Sequence, residues 1–295
     1  MIASASVAVA TVVMAFWYKS ELIDAFDRVH IGWAIVGLGC YGLNYNLRAI
    51  RFRILSSGRI RIWPEGLHAS CIHGFASYMM PFRSGELALP IIIRSLTNLS
   101  LAEGGQLLVR ARLLDILALG IWCFAAIWLS YSSLPAALLN IWLLAAIIML
   151  ALPLIIHRLA IKGRVAQYAF IRKIVGLVQP QPFRLVEIFV SMGIWASVAG
   201  VFFCTAKAIA LPIAFLHVWW LITLQLPLQL LPLQGLANAG NHEGGWVAGL
   251  TLLGFSTSQS IAFALTSHAV LIMYVILLGP VALITGRFCR KPPAI

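Results

Sequence analysis

Windows of about 20 apolar residues recur along the chain, separated by short segments that hold most of its charged side chains. That is the length a helix needs to cross roughly 30 Å of hydrocarbon. Leu, Ala and Ile follow one another without alternation by twos, so the windows read as helices and not as the strands of a closed barrel. The first window, residues 1–18, has no basic start and ends in Phe16-Trp17-Tyr18 where a signal peptide would have small residues. It reads as a retained span with an aromatic interface anchor. Further full spans are expected over about 31–47, 110–129, 136–156, 186–206 and 257–285.

Two stretches do not read as simple spans. Residues 63–94 are interrupted by Pro81-Phe82-Arg83-Ser84-Gly85-Glu86, with arginines before and after. Residues 211–254 are interrupted by a Gly- and Asn-rich run that begins at Pro232 and closes on Glu243-Gly244-Gly245. The simplest solution is a pair of re-entrant hairpins, over about 63–96 and about 211–254, dipping in from opposite faces. Each has an apolar helix, a break ending in Glu, a short second helix and a following span with polar residues inside it: Arg110, Arg112 and Asp115 in one case, Ser267 and His268 in the other. The expected fold is therefore an all-α polytopic membrane protein, with about six transmembrane helices plus two oppositely oriented hairpins, related like inverted repeats within a single transmembrane domain, 1–295.

Composition agrees with this class: 61% of the residues are hydrophobic, 10% are charged and the mean hydropathy is +0.95. The net charge of +12 would suit a nucleic-acid binder, yet the basic residues fall in three groups between apolar windows. Arg48, Arg51, Arg53, Arg59 and Arg61 form the first, residues 158–173 hold the second, and Arg287, Arg290 and Lys291 the third. They read as positive-inside signals, which put both termini on the cytoplasmic side of the cell inner membrane and leave no role for nucleic acid. The five cysteines show no CxxC spacing, so neither a disulfide framework nor a zinc site is expected. No metal or cofactor is anticipated.

Non-helical backbone at membrane depth survives only where it is buried in protein or lines a wet cavity, since an unsatisfied amide in lipid costs several kcal/mol. The two breaks therefore mark a polar site. Its candidate substrate-binding residues are Arg83, Ser84 and Glu86 at the first break and Asn238, Asn241, His242 and Glu243 at the second. Half-helices ending there turn N-terminal amides toward the site, which favours an anion, and the Arg83 guanidinium suits a phosphate. An Arg at the centre of a span costs at least about 2.5 to 3.5 kcal/mol, so it needs a partner or a task. The alternative is that Arg83 and Glu86 pair and pin the turn. Glu243 reads either as a carboxylate capping a helix N-terminus or as a proton-binding group. Glu86 and Glu243 are the candidates for proton coupling.

Arg110, Arg112 and Asp115 stand at the expected cytoplasmic start of a span and are further candidates, with Arg112 and Asp115 on one helix face. The two arginines also read as interface anchors; Asp115, about one turn deeper, calls for an arginine such as Arg83 or Arg112. His217 and His268, each flanked by apolar residues, read as hydrogen-bonded structural histidines. His242-Glu243 does not open a zinc-protease motif, because Trp246 occupies the second ligand's position. P-loop, G-x-G-x-x-G and G-x-S-x-G sequences are absent, which disfavours nucleotide-driven transport and enzymatic activity. Asn98-Leu99-Ser100 matches a glycosylation sequon but falls on the expected cytoplasmic side.

The P-x-R-x-G-E segment at Pro81 to Glu86, R-x-R-x-x-D at Arg110 to Asp115 and G-x(7)-E at Gly235 to Glu243 resemble the lysylphosphatidylglycerol synthase transmembrane family. This is the flippase-like domain of multiple peptide resistance factors and of stand-alone members linked to glycosyl-polyprenol pathways. The resemblance covers about 31–284 and implies a flippase-like fold, with Arg83, Glu86, Arg112, Asp115 and Glu243 as the functional set. One departure is Leu87-Ala88-Leu89-Pro90, where many relatives carry a basic residue; Arg94 lies about two turns further on. These residues include no soluble aminoacyl-transferase segment, so the expectation is a flippase for a lipid made by another enzyme. Its substrate would be an anionic lipid, such as a modified phospholipid or a sugar on a polyprenyl phosphate, and a glycosyltransferase of the same pathway is a candidate partner. The competing expectations are an integral membrane transferase or hydrolase acting on a lipid phosphate, with Glu86, Glu243 or His242 as acid or base, and a membrane scaffold for such an enzyme.

Overall fold

A computed structural model describes residues 29–130, 136–162, 177–178, 181–230 and 235–289, together with Phe16, Lys19, Ser20 and Ile23. From residue 29 onward the described residues include nine α-helices: α1 Ile31–Leu55, α2 Leu67–Met79, α3 Ala88–Leu96, α4 Leu101–Ser130, α5 Ala136–Lys162, α6 Leu185–Ala208, α7 Phe215–Leu230, α8 Asn241–Leu252 and α9 Thr257–Phe288. No strand occurs among them. Among the described residues four helices are long and apolar enough to cross a membrane: Leu101–Leu129, Leu139–Leu159, Leu185–Ala208 and Thr257–Phe288. The chain is a multi-pass membrane protein. The expected span over 1–18 lies almost wholly outside the described residues.

Helix starts follow from local capping. Ser100 and Glu103 form a reciprocal box at α4, the Ser100 N–H donating to Glu103 Oε2 at 2.8 Å and the Glu103 N–H to Ser100 Oγ at 3.2 Å. Ser256 and Gln259 do the same at α9, at 3.1 and 3.2 Å. Helix α4 thus begins nine residues before the expected start at 110. Arg110, Arg112 and Asp115 stand in its third and fourth turns, not at its mouth. Helix α1 likewise continues to Leu55, so Arg48, Arg51 and Arg53 belong to the helix and not to a loop after it.

The exposed side chains of α5 are those a lipid-facing helix needs: Ile141, Leu144, Ile147, Ile148 and Ile155 are each more than half exposed. In water such a stripe would be an association surface; in hydrocarbon it is already solvated. Helices α4 and α5 pack closely, with Gly120 admitting the Leu150 side chain.

By internal contacts the chain divides into two compact units. The first comprises residues 1–43, 71–88 and 197–281, and the second residues 44–70, 89–196 and 282–295. The first has a core of Trp219, Trp220, Trp246 and Phe263. The second is built on Leu114, Leu119 and Ile194 and encloses several ion pairs.

Candidate functional site

Both expected breaks exist and both lie in the first unit. Helix α2 stops at Met79, Met80 is extended, and Pro81 begins a 3-10 turn, Pro81–Leu87, that leads into α3. A proline suits that first position because its missing N–H has no helical partner there anyway. The turn folds back tightly on α2: a Cβ on Gly85 would sit 2.1 Å from the Ala76 carbonyl oxygen, so only glycine fits. The Ser84 hydroxyl is exposed and donates to the Pro81 carbonyl at 2.9 Å. Glu86 reaches the buried His73 of α2, Oε2 to Nε2 at 3.5 Å. The side chain of Arg83 lies outside what is described.

The second break is tighter still. Ala237, Asn238 and Gly240 all take positive φ, of 53°, 65° and 85°. Asn and Gly tolerate that region, whereas Ala does so only where surrounding contacts enforce it. His268 of α9 supplies one, its Nε2 donating to the Ala237 carbonyl at 2.7 Å. The other ring nitrogen, Nδ1, meets Glu243 Oε1. Glu243 Oε2 in turn accepts the Gly240 N–H at 2.7 Å. Glu243 therefore takes the capping geometry at the N-terminus of α8 and is hydrogen-bonded to His268 as well. His242, beside it, is buried with Nε2 2.9 Å from Ser267 Oγ and its ring 4.9 Å from that of His268. Asn238 and Asn241 are partly buried on the same turn.

The two breaks meet. The turn Pro81–Leu87 packs against the turn Leu236–Asn238, and the Tyr78 ring, at the end of α2, stands edge-on to His268 at 6.2 Å. Each break thus couples a glutamate to a histidine from a neighbouring element, Glu86 to His73 and Glu243 to His268.

Arg110, Arg112 and Asp115 belong to the second unit, where they are spent on ion pairs. Asp115 accepts from Arg112 at 2.7 Å, as its spacing predicts, and from Arg51 at 2.5 Å. Trp195 Nε1 adds a third bond at 3.2 Å. Arg51 is buried as well as paired: its side chain is 3% exposed and also donates to Ser191. Arg110 is buried too, bonding Glu187 at 2.7 Å and the carbonyls of Gln181 and Pro182, each at 2.8 Å. It is thus paired inside the protein. The sequence signal for His73 and His268 is an ionisable residue in a mostly apolar stretch of helix, whereas Arg51, between Arg48 and Arg53, has no such signal.

No curated protein and no solved structure matches the chain significantly. The family described as "Lysylphosphatidylglycerol synthase TM region" matches residues 3–279, which takes in both breaks and the R-x-R-x-x-D segment. The chain accordingly belongs to the lysylphosphatidylglycerol synthase transmembrane-region family, and its function is related to membrane lipid.

Proposed function

We propose that the chain is a flippase that carries an anionic lipid or lipid-linked headgroup across the cytoplasmic membrane by alternating access. The observation that supports this best is the meeting of two breaks between α-helices, each holding a glutamate against a histidine. Irregular backbone with paired ionisable groups is costly within a bilayer unless it serves a polar path. In this reading α2–α3 and α7–α8 are re-entrant hairpins entering from opposite faces, both termini are cytoplasmic, and the phosphate passes between the turns near Arg83 while the acyl chains stay in lipid. Glu86 and Glu243 exchange protons during the cycle. The cargo is a modified phospholipid or a glycosyl-polyprenyl phosphate supplied by a separate enzyme.

The test is a fluorescence-quench assay of labelled phosphatidylglycerol in proteoliposomes, comparing wild type with Arg83→Ala and Glu86→Gln. Loss of translocation by at least about tenfold, with folding intact, is expected, since a charge-assisted hydrogen bond contributes about 1.5 to 3 kcal/mol. Wild-type rates in both folded variants would remove these residues from the mechanism.

One observation favours a second reading, a lipid-phosphate hydrolase or transferase: Ser267 and His242 stand at the distance of a nucleophile and its base. Against it, the Ser267 hydroxyl is wholly buried and donates to the Ala264 carbonyl at 3.1 Å, so its proton is not offered to His242. A chemically altered lipid after incubation with purified protein would revive this reading.

A further inference from the structure

The second unit holds a cavity of ≈ 380 Å³ that the transport reading does not use. Its volume falls in the range of small-molecule sites, about 300 to 1,000 Å³. The end of α1 and the residues after it bring Leu55 and Arg59 to its wall, α4 brings Glu103, Gln106 and Arg110, and the start of α6 brings Arg184 and Glu187. Arg59 pairs with Glu103 at 2.6 Å, and Arg184 with Glu187 at 2.8 Å. Both arginines remain more than half exposed. Arg59 uses Nε and Nη1 in its hydrogen bonds, and Arg184 uses Nε and Nη2. Each guanidinium has one terminal nitrogen with no hydrogen bond among the described residues, Nη2 of Arg59 and Nη1 of Arg184, and so can offer it to a ligand.

Charge behind the wall is unbalanced. One turn before Leu55 on α1 lies Arg51, in the cluster with Asp115 and Arg112, and Arg48 is one turn earlier again. From the cavity to this cluster stand six guanidinium groups, of Arg48, Arg51, Arg59, Arg110, Arg112 and Arg184. The carboxylates they meet are Glu103, Asp115 and Glu187. Arg51 Nε is buried and has no hydrogen-bond partner among the described residues. Among the described residues these arginines outnumber the carboxylates they meet, and a buried charge that lacks full compensation is costly.

We propose that the cavity binds a phosphate group, with Arg59 and Arg184 as its ligands and the buried arginines supplying the attraction. A phosphate offers several acceptor oxygens and compensates the excess charge, and a guanidinium matches its geometry. Arg110 acts as a positioning residue: its donors hold Glu187 and two carbonyls, which fixes the wall against which Arg184 is set. The proposal uses no residue of the helix breaks, so it stands or falls apart from the transport reading.

Binding to the full chain in detergent is measured by native mass spectrometry with three probes: dioleoylphosphatidylglycerol, dioleoylglycerol, which lacks the phosphate, and inorganic phosphate. Phosphatidylglycerol is expected to bind and dioleoylglycerol to fail. Arg59→Gln with Arg184→Gln should weaken phosphatidylglycerol by about tenfold or more. The same pair changed to Lys should stay within a few-fold. Gln106→Glu leaves every arginine in place and adds a negative charge, so it should weaken binding comparably even if the double variant folds poorly. Binding of inorganic phosphate, lost in the Arg→Gln pair, also supports the site and assigns it a free phosphate compound. Equal affinity for dioleoylglycerol, or undiminished phosphatidylglycerol binding in Gln106→Glu, overturns the proposal.

Discussion

Glu243 and His268 hold one proton between them. A carbonyl only accepts, so His268 Nε2, facing the Ala237 oxygen, carries a hydrogen, and the contact between Nδ1 and the Glu243 carboxyl is bridged by a second one. Whether that proton rests on the ring or on the carboxyl, the pair is neutral overall, which suits a buried position.

This arrangement predicts unequal variants. In Glu243→Gln the amide nitrogen donates to Nδ1 while the amide oxygen still accepts the Gly240 N–H, so stability should change by no more than about 1 kcal/mol. His268→Ala strands the carboxylate and frees the Ala237 carbonyl, and should cost about 3 to 5 kcal/mol. Thermal unfolding in detergent measures both. Similar losses in the two would mean the proton is not shared in this way.

The first break has its own steric test. Gly85→Ala drives a methyl group into the α2 backbone at Ala76, whereas Ser84→Ala, one residue earlier, removes only an exposed hydroxyl's bond to Pro81. Overpacking against backbone costs about 1 to 3 kcal/mol or more; loss of the Ser84 bond should cost less than about 1. A Gly85→Ala protein as thermostable as Ser84→Ala would show that the turn is not seated on α2.

Helices and breaks were legible for a physical reason: apolar runs of spanning length, and Pro81 or the Gly-rich segment around Gly240, act through local chain properties. The partners were not, because pairing across helices depends on packing. Asp115 finds Arg51 at a separation of 64 residues, and Glu243 finds His268 at 25. Hydropathy alone ends the first helix near Leu47, since three arginines follow, yet arginine is a good helix former and α1 runs on to Leu55. The start of α4 was legible in principle from Ser100-x-x-Glu103, a pattern that overlaps the sequon-like Asn98-Leu99-Ser100.

That capping box gives a mild, local prediction. Ser100→Ala removes the acceptor for the Glu103 N–H and one partner of the Glu103 carboxylate, and should lower stability by about 1 kcal/mol. Ser100→Thr, which retains the hydroxyl as acceptor and donor, should recover most of it. A Ser100→Thr protein no more stable than Ser100→Ala would argue against capping as the cause.

The ion cluster in the second unit separates a structural role from a ligand-binding one. Arg51 is 3% exposed and Arg112 35%, yet both donate to the same aspartate. Asp115→Asn leaves Arg51 buried without its counter-charge and should cost about 3 to 5 kcal/mol. Arg112→Ala, at the wetter end, should cost about 1 or less. Removing both buried charges, Arg51→Met with Asp115→Asn, should recover much of the loss, because an absent pair is cheaper than a broken one. The coupling energy from a double-mutant cycle, read by thermal unfolding, is the measurement. A cycle in which the two losses simply add would mean that Arg51 and Asp115 are not partners in the folded protein.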